Sequence, residues 1–140
     1  MKNKIFKTSS APTLIPRLIV GLIFLSEGLQ KFITPGAVGV GRFAKISFEH
    51  AEFWAPFTGV FEITCGVLLL AGLFTRLASI PLLIIMLVAF VTTKYPILVE
   101  KGFWSMAHEY RTDFAMTMLL LFTLYYGGGS YSLDKKYFGK

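Results

Sequence analysis

The chain is poor in the residues that most enzymes use for covalent and metal chemistry. Cys65 is its single cysteine, which excludes a disulfide framework and a Cys-x-x-Cys relay. Set in an apolar run, it reads as a small buried side chain. The two histidines, His50 and His108, stand in polar stretches far from that cysteine, so no metal or haem ligand set is expected. No Gly-x-Ser-x-Gly nucleophile motif occurs. Gly127-Gly128-Gly129 closes an apolar run where a phosphate cradle would open a helix, and it reads as a cap. Charge is also scarce, at 16% of residues against 54% hydrophobic. The net charge of +6 fits juxtamembrane lysines meeting anionic lipid, and nucleic acid is not an expected partner.

What the chain has is apolar length. Its mean hydropathy is +0.63, a value suited to an integral membrane protein. At about 20 residues per crossing, these 140 residues hold about four spans and no separate catalytic domain. The expected spans are 14–33, 55–74, 77–93 and 112–126, giving an all-α, integral membrane four-helix bundle. Pro16 suits the first helical turn, and Thr34-Pro35-Gly36 stops the first helix. Lys2, Lys4 and Lys7 precede that helix, but no Ala-x-Ala-like site follows it, so it is expected to stay uncleaved. Residues 43–54 mix aromatic and charged side chains, as a short interfacial helix would. Thr75-Arg76 makes a tight turn into the third span, Pro96 falls beyond that span's end, and residues 94–111 read as a polar, aromatic loop.

Four spans put both termini on one side. With that side cytoplasmic, eight of the 14 lysines and arginines lie inside: Lys2, Lys4, Lys7, Arg17, Arg76, Lys135, Lys136 and Lys140. This bias favours an N-in/C-in orientation. Of the eight acids, only Asp134 falls on the inner side, so the polar chemistry is concentrated in the outer half.

Glu27 and Glu62 each interrupt an apolar run. A charge in the bilayer core costs at least ~2.5 kcal/mol and is normally paired, turned to the bundle interior, or functional. At about 1.5 Å rise per residue, helix directions place them roughly 12 and 10 Å below the outer face of a ~30 Å hydrocarbon layer. Gly21 and Gly28 lie on Glu27's helix, and Gly59 and Gly66 share a face with Glu62; small residues of this kind let membrane helices approach closely. Lys31 follows Glu27 by four residues, so a neutralised same-helix pair and a functional acid are both open for Glu27. Glu62 has no base within four residues on its own helix. Its partner must come from another helix or a loop; without one, burial would hold the carboxyl protonated, the state a proton donor needs. Thr92, Thr93, Lys94 and Glu109, with His108, Arg111 and Asp113, lie at the outer ends of the other helices, and the last three stand where a lid would close. Arg76 reads as an inner-side anchor.

Arg17-Leu18, Gly28-Leu29-Gln30-Lys31-Phe32, Gly59…Glu62…Gly66, Gly72-Leu73-Phe74-Thr75-Arg76 and the tail Gly127-Gly128-Gly129-Ser130-Tyr131-Ser132-Leu133-Asp134 together resemble the DoxX family of small four-helix membrane proteins. The resemblance extends over nearly the whole chain as one domain, 1–140. It implies a multi-pass protein of the bacterial inner membrane, related to membrane subunits of thiosulfate–quinone and other redox systems. The expectation is a quinone-interacting or membrane-anchoring subunit of an oxidoreductase. Its catalytic acids would be Glu62 and Glu27, while Lys31, His108, Arg111 and Asp113 would bind the quinone head group. Expected partners are the lipid bilayer and a soluble or membrane redox subunit, and a homo-oligomer is compatible with the sequence. The rivals are a non-enzymatic assembly subunit and a small proton or solute transporter. The paired-cysteine mechanism of the similar four-helix vitamin K epoxide reductases is excluded by the lone cysteine.

Overall fold

A computed structural model describes residues 13–37, 39–45, 49–129 and 131–138. The basic start Lys2, Lys4, Lys7 and the terminal Lys140 lie outside the described residues. The described chain is helical throughout, with no strand among the described residues. Its elements are α1 (Leu14–Ile33), α2 (Val40–Lys45), α3 (Ala51–Ala71), α4 (Thr75–Ala89), a π-helical turn (Phe90–Lys94), α5 (Tyr95–Lys101), α6 (Phe103–Tyr126) and α7 (Leu133–Phe138). Among the described residues, two helices are long and apolar enough to cross a membrane, Ala51–Ala71 and the continuous Thr75–Lys101. α1 carries Arg17, Glu27 and Lys31, and α6 carries a polar first third, so neither is as uniformly apolar.

Two expected segments are built differently. The interfacial helix expected over residues 43–54 is divided: α2 ends at Lys45, residues 46–48 lie outside the described residues, and α3 has begun by Ala51. Residues 94–111 form the end of one helix and the start of another. Pro96 sits in the first turn of α5, where a missing N–H is tolerated. Since proline cannot donate to the carbonyl four residues back, the preceding turn widens to the π form, and the Tyr95 N–H bonds to the Phe90 carbonyl. Gly102, at φ 91°, then reverses the chain directly into α6, a conformation open to glycine and strained for other residues.

α1 packs on α3, α4 on α6, α3 on α4, and α1 on α6. The α1–α3 contact depends on glycine. A Cβ on Gly28 would come 2.9 Å from the Gly59 carbonyl oxygen, and one on Gly66 would come 3.0 Å from the Gly21 carbonyl oxygen. The two backbones are therefore nearly touching at two levels, a turn on either side of Glu62. Val20, Phe24, Leu69, Leu82, Met116 and Leu120 fill the core between the four long helical segments, with Cys65 buried among them.

One end of the molecule is closed by the chain's own C-terminal segment. Phe74 adopts a left-handed conformation, φ 49°, uncommon for a bulky residue. Asp134 holds it there: its carboxylate accepts hydrogen bonds from Phe74 N at 2.7 Å and Thr75 N at 2.9 Å, and its own N–H donates to the Gly72 carbonyl at 2.9 Å. A remote aspartate thus caps α4, whose own N-cap residue supplies no side-chain bond. Fully buried Arg17 donates through Nη2 to the Tyr131 carbonyl. Its Nε and Nη1 have no partner among the described residues, and Asp134 lies near enough to offset its charge. Ser79 and Thr123 hydroxyls meet at 2.9 Å between α4 and α6.

Candidate functional site

The other end is open. A cavity of about 660 Å³ lies among α1, α3, α4, the π turn and α6. Phe24, Ile84, Met86 and Met116 form its inner wall, and Trp54 and Phe57 form an aromatic side, their rings edge to face at 5.4 Å. Into this apolar space project three carboxylates and two ammonium groups: Glu27, Glu62, Asp113, Lys31 and Lys94.

Lys31 Nζ donates to Glu62 Oε2 at 2.8 Å, and both side chains are buried. The same-helix pairing of Lys31 with Glu27 is not what forms, and the cause lies in the glycines. Gly59 stands one turn before Glu62, and a Cβ there would meet the Lys31 side chain at 3.4 Å. That close crossing presents Lys31 across the interface to Glu62 and turns it away from its own helix. Glu62 thus takes its partner from another helix. Glu27 is left lining the cavity with no hydrogen bond or ion pair among the described residues, near enough to Glu62 for the two charges to repel.

A second, looser pair closes the opposite wall. Lys94 Nζ lies 3.6 Å from Asp113 Oδ2, attractive but beyond hydrogen-bonding range. Lys94 ends the π turn and is buried. Thr92 and Thr93 beside it turn their hydroxyls back to the Val88 and Ala89 carbonyls.

Of the six residues given a site role from sequence, the cavity brings together Glu27, Lys31, Glu62 and Asp113. His108 and Arg111 lie outside it, on an exposed face of α6, where Arg111 Nη1 is 2.9 Å from Nδ1 and 2.6 Å from Nε2 of the imidazole. They are not over the cavity because residues 103–111 are helical, and helix geometry aims them away from Asp113. Lys94, Trp54 and Phe57 are cavity residues to which sequence reasoning gave no such role. The signal for Lys94 was Pro96: read as a first-turn proline, it extends the third helix and places the lysine inside it.

The profile of the DoxX family matches residues 13–95. Over 126 residues the chain is 50% identical to a Mycobacterium tuberculosis protein described as an uncharacterized membrane protein, covering 86% of this chain and 77% of that one. The chain belongs to the DoxX family. No solved structure matches it. The matched DoxX region contains Glu27, Lys31, Glu62 and Lys94, whereas Asp113 and the clasping Asp134 lie beyond it. As a DoxX protein with two span-length apolar helices it is a membrane protein. Lipid accounts for its many exposed large apolar side chains, among them Ile15, Leu22, Val60, Ile84 and Leu87.

Proposed function

We propose that this DoxX protein is a four-helix bundle of the bacterial inner membrane, with both termini cytoplasmic, and that its cavity takes the head group of a quinone. One observation carries the reading: an apolar and aromatic cavity contains a buried Lys31–Glu62 ion pair with the unpaired Glu27 beside it. Its volume of about 660 Å³ falls within the ~300–1,000 Å³ usual for small-molecule sites. Arg17, Arg76, Lys135 and Lys136 belong to the clasped end, and counted by sequence with Lys2, Lys4, Lys7 and Lys140 they make eight of the 14 lysines and arginines, which supports a cytoplasmic position for that end and an outward-facing cavity.

The residues fit such a ligand. Trp54 and Phe57 offer ring faces, and the aliphatic wall suits an isoprenoid-bearing molecule. A quinone takes two electrons and two protons to become a quinol; the electrons would come from a soluble or membrane redox subunit. Glu27, which lines the cavity, would exchange a proton with a ligand oxygen. The second proton would come from the Lys31–Glu62 pair, where it rests on the ammonium that Glu62 orients, and both positions would be reprotonated from water.

The chain's two tryptophans make a direct test. With exposed Trp104 replaced (Trp104→Phe), emission comes from Trp54 in the cavity wall. A short-chain benzoquinone added to the detergent-purified protein is expected to quench it saturably, and Glu27→Gln to weaken binding. Quenching that rises linearly without saturation would overturn the quinone reading. It would favour the second reading, an assembly subunit, which draws support from the burial of the Lys31–Glu62 joint between two helices.

A further inference from the structure

The cavity's two lysines are in different states. Lys31 is closed off, hydrogen-bonded to Glu62 at 2.8 Å. Lys94 is as deeply buried, at 9% exposure, yet makes no hydrogen bond among the described residues, and its nearest anion, Asp113, stands 3.6 Å away. Its stem is buried while its Nζ keeps some accessible surface, so the N–H groups that Asp113 does not engage stay open to whatever fills the cavity. Lys94 lines the cavity, so an oxygen entering that space is the natural acceptor. The backbone adds a second, independent feature. The lysine is the last residue of the π turn, and the extra residue in such a turn rotates the succeeding helix by about 100° relative to a regular one. Turns of this kind are frequent at functional sites.

The anions differ in the same way. Glu62 is engaged by Lys31, Asp113 loosely holds Lys94, and Glu27 has no partner among the described residues. Among the charged groups of the cavity in the described residues, Lys94 is therefore the cation without a hydrogen bond and Glu27 the carboxyl without a partner.

We propose that Lys94 is the specificity-determining cation of this cavity, donating to an oxygen of the bound ring, and that Asp113 is the internal competitor it leaves when the ligand enters. The inference rests on the quinone reading above and names the residue that recognises the ligand's oxygen. A ring with an oxygen at each end answers both free groups, one at Lys94 and the other at Glu27. Asp113 keeps the ammonium compensated when no ligand is bound. Its 3.6 Å separation makes it a placeholder that can be exchanged, unlike Glu62.

The test compares variants in the Trp104→Phe background, titrated with the same short-chain benzoquinone. Lys94→Met is expected to weaken binding at least tenfold, Lys94→Arg to retain most of it, and Asp113→Asn to strengthen it several-fold by removing the competitor. Circular dichroism and thermal midpoint in detergent establish that each variant is folded; if Lys94→Met is not, Lys94→Gln takes its place, and both Lys94→Arg and Asp113→Asn are expected to bind at least tenfold more tightly than it does. Equal losses in the lysine and aspartate variants would make the pair a structural joint and overturn the proposal. So would unchanged affinity in Lys94→Met, or no gain in Asp113→Asn. Should the Trp104→Phe parent itself show no saturable quenching, the quinone reading fails; loss of the expected pattern among variants of a parent that does bind overturns the role of Lys94 alone.

Discussion

The two ends of this molecule hold charge in opposite ways. At the clasped end, Asp134 points both carboxylate oxygens at the main chain of the α3–α4 turn, and Arg17 points at the Tyr131 carbonyl. Charged groups there replace missing backbone partners. At the cavity end, charges meet other side chains around a space, and three of them, Glu27, Lys94 and Asp113, are left without side-chain hydrogen bonds among the described residues. Charges that satisfy backbone make a fold, whereas charges held beside a void remain available to a ligand. On the quinone reading, stability belongs to one end and recognition to the other.

The strongest way to break that division is Asp134→Ala. Asp134 is 4% exposed. Its removal leaves the Phe74 and Thr75 amides without their acceptor, so a loss of about 1–3 kcal/mol for each is expected. Thermal unfolding in detergent measures it. The fraction that remains folded should keep its benzoquinone affinity. A variant of undiminished stability with no ligand binding would reverse the roles given to the two ends.

The Lys31–Glu62 pair sharpens the comparison, because it is the one cavity contact built like a structural joint. Lys31→Met or Glu62→Leu alone leaves a buried charge and should cost about 2–4 kcal/mol, while the double variant should recover most of that loss. A double-mutant cycle on unfolding in detergent gives the coupling. Ligand affinity in the stable double variant then separates the pair's two duties. Retained affinity would confine the pair to joining α1 and α3, and lost affinity would place it in recognition.

The α1–α3 joint was largely legible in the sequence, because small residues at helical spacing and a carboxylate with no base on its own helix both demand a close neighbour. Which neighbour was not legible. Lys31 lies at a favourable spacing from Glu27, and only the backbone contact at Gly28 and Gly59 shows that it faces Glu62 instead. Pro96 misled for a local reason: proline ends a helix or begins one, and the polar residues after it favoured the wrong choice. The Asp134 clasp depends on a contact between residues 60 apart in sequence, and no periodicity encodes that. The Ser-Leu-Asp tail was visible as a motif without its function.

The smallest effect expected belongs to His108 and Arg111. Both are polar residues in the first third of α6, and their sequence positions suggested a lid. They are exposed and three residues apart on one helix face, and the guanidinium reaches the imidazole of its own helix and no cavity atom. Exposed polar contacts of this kind contribute about 0–1 kcal/mol, and substitutions there usually stay within about 0.5 kcal/mol. His108→Ala and Arg111→Ala should therefore leave both the unfolding midpoint and the benzoquinone affinity nearly unchanged, whereas Glu27→Gln and Lys94→Met, on the cavity wall, should change affinity. A tenfold loss of affinity in either α6 variant would mean that this face closes over the ligand. The boundary between recognition and solvent would then run along the outside of α6 and not along the wall that holds Asp113.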